Sequence, residues 1–393
     1  MSEAIDVAIV GGGVIGSAIA CFLAGEPGFA GRILVIEPDP SYRTASTTLS
    51  AASIRQQFST PENIRIGQFG AAFIRDATRH LSVEGEVVDL AFREAGYLFL
   101  ASPAGAGVLA SNHALQRALG CDNLLLDAAG LKARFPWLDT EGIAAGCLGL
   151  SGEGWFDNHG LLMAFRRKAR SLGVEYRTDR VVGMTVAGGR VVRLALESGA
   201  GLSPGVVVNA AGPRAGQVAA LAGIDLPVRP RKRFVYVIHC REVLAPALPL
   251  VIEPGGVYVR PEGQHYICGV SPPPDQDPDC EDLEVEYGLF EEVVWPVLAA
   301  RIPALAAVKL VNAWAGHYDY NTVDQNAIIG PHPELANLIF ANGFSGHGLQ
   351  QAPAVGRAVA ELIAFGRYRS LDLSRFRYAR FAEGDLVIEK NVV

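Results

Sequence analysis

Residues 11–16 read Gly-Gly-Gly-Val-Ile-Gly, directly after the apolar residues 5–10 and directly before an apolar helical pattern at 14–24. A strand that turns through glycine into a helix opens a β-α-β unit, and residues 32–37 supply its second strand. Gly11 permits the sharp turn, Gly13 lets a pyrophosphate approach the backbone, and Gly16 lets helix pack on strand. Val14 and Ile15 open the helix, where unpaired N–H groups face a diphosphate. Glu37 closes the second strand 21 residues after Gly16, where a carboxylate accepts hydrogen bonds from ribose hydroxyls and repels a 2′-phosphate. A glycine turn alone is a weak signal. With strand, helix and acid in place it reads as an adenine-dinucleotide site.

A second glycine-rich segment, Gly343-Phe344-Ser345-Gly346-His347-Gly348-Leu349-Gln350, lies between a strand at 338–341 and a helix expected at 352–366. Its backbone N–H groups can converge on an acceptor. A reduced flavin carries negative charge around N1 and O2, which a helix N-terminus stabilises, so this loop suggests that the dinucleotide is FAD. A nicotinamide cofactor is the weaker rival because it leaves this loop unexplained. His347 either acts at the ligand or is a histidine held by backbone hydrogen bonds. Gln350 either points towards a ligand or simply enters the helix.

Composition narrows the setting. The 393 residues suffice for two domains, and a chain that is 50% hydrophobic and 19% charged suits a well-packed enzyme. With 34 basic and 41 acidic residues, a net charge of −7 and no basic block, nucleic acid is not an expected partner. Six cysteines, at 21, 121, 147, 240, 268 and 280, form no C-x-x-C pair, which argues against structural metal and disulfides and for a reducing compartment. The apolar run 7–23 follows Glu3 and Asp6 rather than a basic segment and is broken by four glycines, so it reads as neither signal peptide nor membrane span. A cytoplasmic location is expected.

Helical periodicity marks 61–81, 157–172 and 282–300, and 86–101 alternates towards strand. Short strands are expected at 174–176, 181–186, 191–196, 206–209, 233–239, 257–260 and 266–270. The strand at 206–209 ends in Asn209-Ala210-Ala211-Gly212. The fold class expected is α/β: a Rossmann-like dinucleotide-binding domain with a second, sheet-containing domain. Both are discontinuous, with 1–85, 145–225 and 320–393 in the first and 86–144 and 226–319 in the second.

Taken with Ser53-Ile54-Arg55-Gln56-Gln57-Phe58-Ser59 and Trp314-Ala315-Gly316-His317-Tyr318-Asp319-Tyr320-Asn321-Thr322, these motifs carry a resemblance over about residues 4–370. The chain resembles the D-amino-acid oxidase, sarcosine oxidase and glycine oxidase family of FAD enzymes. It looks closest to the branch holding the mitochondrial FAD-dependent oxidoreductase-domain proteins that assist assembly of respiratory complex I, and related bacterial amine dehydrogenases.

The resemblance implies that the first domain is a glutathione-reductase-type FAD-binding domain and the second a mixed β-sheet substrate domain, with the following site. Residues 44–52 form the flavin loop, with Ser46 and Thr47 as hydroxyl donors and Ser53 beside them. Val182 meets the adenine through its backbone, Ala210, Ala211 and Gly212 form a small-residue cofactor loop, and Gly316 lies against the flavin. Arg55 matches an arginine that clamps a substrate carboxylate; its alternative is an arginine pairing a structural acid. Tyr258 matches a substrate-contacting tyrosine, and Arg260, two residues along the strand, could supply a second positive charge. Tyr318 and Tyr320 lie near the flavin edge or pack in the core. A flavin-linking cysteine aligns with His317, so the FAD is expected to be non-covalent. An oxygen-activating lysine aligns with Ile267, which leans towards a dehydrogenase over an oxidase.

The expected activity is oxidation of the C–N bond of an amino acid or N-substituted amino acid by hydride transfer to flavin N5. An amine or amino acid is the small-molecule substrate, and the sequence names neither electron acceptor nor oligomeric state. The alternative is a protein that holds FAD as an assembly factor, or as one subunit of a respiratory or other multi-subunit dehydrogenase complex.

Overall fold

The computed structural model describes residues 2–390. Two sheets dominate. In the first, Ile33–Glu37, Glu3–Val10, Gly201–Asn209 and Leu338–Asn342 lie side by side and parallel, with Glu175–Thr178 parallel beyond Ile33–Glu37. Parallel strands need both faces covered. The helix Val14–Ala24 covers one face, wedged between the helices Asn158–Ser171 and Gly348–Phe365. A Cβ on Gly356 would stand 2.6 Å from the Cβ of Ala18, so glycine allows the two helices to touch.

Register sets the position of the site. Val10 pairs with Ile36 and Asn209, and Asn209 pairs with Phe340, so these four strands finish at one edge. The segments that follow, at Gly11, Glu37, Ala210 and Gly343, are gathered there. Ligands in open α/β sheets bind outside such carboxyl ends. Asn342 and Asn209, both fully buried, tie the edge together, with Asn342 Nδ2 donating to the Asn209 carbonyl at 2.9 Å.

The second sheet runs in the order Val308–Asn321, Val228–Cys240, His265–Gly269, Tyr258–Glu262, Leu250–Ile252, Tyr97–Ala101, Ala145–Gly149, Asn123–Asp127. Neighbours are antiparallel except Leu250–Ile252 with Tyr97–Ala101. Among the described residues no helix is long and apolar enough to cross a membrane.

Several boundaries differ from expectation. Ala145–Gly149 pairs in the second sheet, on the far side of the division expected at residue 145. Only Tyr97–Ala101 of the segment 86–101 is a strand. Its preceding residues run as loop, with Ala91 and Gly96 in left-handed backbone that interrupts a pleat. The helix expected over 61–81 is two, Pro61–Arg75 and Ala77–Leu81, divided at Asp76. The helix expected at 282–300 starts only at Tyr287 and passes through a π turn, Phe290–Val294, before Trp295–Arg301. The last helix is expected at 352–366 from its apolar positions. It begins at Gly348 and carries Pro353 inside.

Candidate active site

A cavity of about 1090 Å³ lies against the carboxyl edge of the first sheet and is walled on its other side by the second. From the first sheet and its loops it is lined by Gly11, Gly13, Val14, Ile15, Glu37, Ser46, Thr47, Ser53, Ala210, Ala211 and Gly212. Gly316, Tyr318, Gly346, His347, Gly348, Leu349 and Gln350 line it, as do Arg55 and Tyr258. Residues from opposite ends of the chain thus share one wall.

The glycine turn is built as its spacing requires. Gly11 has φ of +101°, and a Cβ there would come within 2.4 Å of the Ala210 carbonyl oxygen. Gly13 caps the helix without a side-chain bond, and its only near neighbour is Thr47 Oγ1 at 3.6 Å, leaving its face open. Gly16 lies off the cavity wall, where a Cβ would collide with the Gly11 carbonyl oxygen. Glu37 accepts from the Gly12 amide at 2.8 Å and the Asp39 amide at 2.9 Å, so the acid also orders the turn; burial raises its pKa.

Thr47 Oγ1 accepts from the Val14 amide at 3.2 Å, whereas the buried Ser46 Oγ and Thr48 Oγ1 find no protein partner. Buried hydroxyls are normally bonded. Thr48 lies off the cavity wall, and the orphaned Ser46 hydroxyl on that wall fits a cofactor that brings its own acceptors.

The second glycine loop owes its shape to Asp319. The Phe344 amide donates to Asp319 Oδ2 at 3.1 Å, and the Ser345 amide donates to the Asp319 carbonyl at 3.1 Å. Ser345 adopts a φ of +50°, and its hydroxyl accepts from the Asn321 amide at 3.0 Å. Gly343 and Ser345 therefore hold the loop from behind and do not line the cavity. Gly346, with φ of +96°, packs so tightly on the Tyr318 ring that a Cβ would stand 2.4 Å away. His347 leaves the helix uncapped by any side chain, so first-turn amides face the cavity. Burial pushes the Asp319 carboxyl up to about 7.

Arg55 is buried on the cavity wall. Nη1 donates to the Gln57 carbonyl at 2.6 Å and Nη2 to His347 Nε2 at 2.9 Å, and the guanidinium lies 4.2 Å from the Phe58 ring centroid. Its backbone amide donates to Gln350 Oε1 at 2.9 Å, which commits that oxygen to the protein. Among the described residues no carboxylate lies within 4 Å of the Arg55 guanidinium. The buried Glu153 nearby is spent on the Gln56 and Gln57 amides and on Gln57 Nε2. Tyr258 and Tyr318 are held protonated by burial, leaving hydroxyl donors on the wall.

Some sequence expectations fall elsewhere. Arg260 does not line the cavity: it is 3% exposed, donates to the Ala51 carbonyl and to Glu262, and lies 5.1 Å from the Trp155 ring. Val182 is 46% exposed, and Val181 lines the cavity in its place, because alternate residues of a strand face opposite sides. Ile267 is 1% exposed, off the cavity wall, and pairs with Val237 and Arg260, so the preference for a dehydrogenase drawn from it has no footing. His317 lines the cavity with Nε2 donating to the Asp282 carbonyl at 2.9 Å. Tyr320 also lines it, 5.8 Å from the Arg233 guanidinium.

Sequence reading missed Arg233, Asp277 and Asp319 on the wall. Arg233 sits in the run Arg231-Lys232-Arg233, which resembles a solvated charge cluster. Its alternation with Phe234 and Tyr236 was the available signal.

The family model of FAD dependent oxidoreductases named DAO matches residues 6–362. The chain belongs to the DAO family. Its cofactor is accordingly FAD, and it is an oxidoreductase. A DAO relative, FAD-dependent oxidoreductase domain-containing protein 1 of Xenopus laevis, is 44% identical across 100% of this chain and 85% of its own length. The glycine oxidase of Geobacillus kaustophilus is 27% identical across 97% of this chain and 98% of its own. Among solved DAO-like structures, L-proline dehydrogenase from P. horikoshii superposes with a TM-score of 0.85 at 27% identity, covering 98% of this chain and 100% of that one.

Proposed function

We propose that the chain oxidises the C–N bond of an amino acid or N-substituted amino acid whose carboxylate is held by Arg55. The observation that carries this reading is the Arg55 guanidinium itself: buried, on the cavity wall beside the flavin loop, and without an acid partner among the described residues. Two of the five N–H donors of an arginine are used here, by Gln57 and His347, so three remain for a planar carboxylate.

His347 cannot donate from Nε2 while it accepts from Arg55, so it stays neutral and steers the guanidinium rather than competing with it for an anion. Tyr258 and Tyr318 stay protonated and offer hydroxyls to the substrate. Phe99 and Leu250 exclude water from its apolar side. FAD, held between the first glycine turn and the helix start at Gly348, would supply a two-electron acceptor for the hydride of the C–N oxidation, and water would hydrolyse the imine product. The residues hold the amine unprotonated and aligned, a step dominated by geometry. The electron acceptor after the flavin is the finer point, and oxidase and dehydrogenase differ there alone.

The test is the visible spectrum of the holoprotein under anaerobic conditions, before and after sarcosine, glycine, proline and other D- and L-amino acids. Bleaching by one of them, reduced at least about a hundredfold in apparent affinity in Arg55→Ala, is expected from loss of a charge-assisted bidentate pair. An Arg55→Ala protein reduced as readily as wild type would overturn the carboxylate assignment. Readmitted air then recolours an oxidase quickly and a dehydrogenase slowly.

A further inference from the structure

Two buried cations line the cavity, Arg55 and Arg233, and among the described residues only Arg55 has no acid partner. Arg233 also lines the wall, but Nη1 and Nη2 each donate to a different oxygen of Asp277 at 2.7 Å, and both side chains are buried. The Arg233 guanidinium lies 4.9 Å from the Tyr318 ring centroid, and the Tyr318 hydroxyl feels both Arg233 and Arg55, so the two arginines flank one aromatic. Arg260 is turned away onto Ala51 and Glu262. Arg214 lines the cavity too, but it is exposed, in the neighbourhood of His317. Apolar side chains share the same cavity wall: Phe99, whose ring centroid lies 5.1 Å from the Arg55 guanidinium, with Phe234, Leu250, Ile252 and Val270.

From this inventory we infer that the site takes amino acids with a single carboxylate and an apolar remainder, and that Asp277 enforces the selection by occupying Arg233. The inference rests on the function proposed above and names its substrate class. A first carboxylate meets Arg55, the one buried cation of the wall that has no acid partner among the described residues. A second carboxylate on the same substrate finds the next guanidinium already bound at both ends, with the charge of the buried Asp277 beside it, and like charges repel. An aliphatic or cyclic remainder instead covers the apolar wall.

The role of Asp277 has a direct consequence. Asp277→Asn removes the competing charge and keeps the size of the side chain. Arg233, whose buried Nε already lacks a partner, is then left free to take an anion. The variant should therefore gain affinity for a class of compounds that the wild type rejects, an outcome that loss of structure cannot produce.

The experiment titrates the flavin spectrum of the holoprotein anaerobically with monocarboxylates (L-proline, sarcosine, N-methylleucine) and dicarboxylates (iminodiacetate, N-methylaspartate). In wild type the best monocarboxylate is expected to bind at least about thirtyfold tighter than the best dicarboxylate. In Asp277→Asn that ratio should fall by about tenfold or more, and adding Arg233→Gln to it should restore the wild-type ratio. A wild type that binds dicarboxylates equally or better overturns the inference and leaves the amino-acid reading standing, as does an Asp277→Asn protein with an unchanged ratio. If Asp277→Asn does not fold, the wild-type ratio alone decides. A wild type fully loaded with FAD and bleached by no compound of either class overturns the function proposed above, and this inference with it.

Discussion

Arg55 Nη2 donates to His347 Nε2 at 2.9 Å, and that bond fixes the protonation of the imidazole. A guanidinium has only donors, so His347 Nε2 must be the acceptor and its proton sits on Nδ1. Burial, reinforced by the Arg55 charge, depresses the His347 pKa from 6.5 to about 3. Above pH 6.5 the ring is neutral in both folded and unfolded chains. As pH falls from 6.5 towards 3, the unfolded chain gains a proton that the folded site refuses, so stability is lost through that window. His347→Gln keeps an acceptor for Arg55 and removes the titration. Between pH 6.5 and 5 the variant should lose about 1 kcal/mol less unfolding free energy than wild type, read by urea denaturation. An imidazole that titrates near 6.5 by NMR in the folded protein would refute the assignment.

Asp319 has the opposite dependence. Burial raises its carboxyl from 3.8 to about 7, although the Phe344 amide donates to it. Below pH 3.8 both states are protonated. Between 3.8 and 7 the unfolded chain ionises while the folded one keeps its proton, so stability declines as pH rises, and the loss is complete above 7. Asp319→Asn keeps an oxygen for the Phe344 amide. It should be more stable than wild type at pH 8 by roughly 2 kcal/mol, and the advantage should vanish near pH 4. The comparison is made at equal flavin loading, since bound cofactor stabilises by mass action. Equal pH profiles for the two proteins would contradict it.

Ser46 gives a prediction that separates folding from cofactor binding. Its hydroxyl is buried without a protein partner, so removing it costs the apoprotein nothing in hydrogen bonds. Ser46→Ala should leave apoprotein stability within about 0.5 kcal/mol of wild type or raise it slightly. FAD should bind about tenfold more weakly, the worth of one hydrogen bond, when titrated by flavin fluorescence. A destabilised apoprotein with unchanged FAD affinity would show that the hydroxyl serves the fold.

The first glycine turn was legible because its constraint is local. Gly11, Gly13, Gly16 and Glu37 each have a backbone reason tied to a fixed spacing. The strands of the first sheet follow from apolar runs bounded by glycine. Arg233 and Asp277 were hidden because their meaning is tertiary. One stands in a basic run and the other in a proline-rich loop, and only their pairing on the cavity wall distinguishes them from surface charges. Arg260 shows the converse. Alternation with Tyr258 placed it on the same face of a strand, but the reach of an arginine carries its charge to Ala51 instead. The strand expectation over 86–101 failed for a local reason that hydrophobic alternation does not register, the left-handed backbone at Ala91 and Gly96.

Arg380, beyond the residues that match the family model, supports the same site from outside. It is fully buried, with Nε and Nη2 donating to the two oxygens of Asp324 at 2.7 and 2.8 Å and Nη1 to the Phe376 carbonyl at 2.7 Å. Asp324 also accepts from Asn321 Nδ2 at 2.7 Å, and the Asn321 amide donates to the Ser345 hydroxyl of the second glycine loop at 3.0 Å. A buried ion pair adds little over an apolar pair of the same volume, but breaking it strands the remaining charge. Arg380→Met should therefore cost about 3–5 kcal/mol in urea unfolding and loosen FAD, whereas Arg380→Met with Asp324→Leu should recover a large part of that loss. A double variant as unstable as the single one would mean that the hydrogen bonds of Asp324 to the backbone and Asn321, rather than the charge pair, hold this corner of the fold.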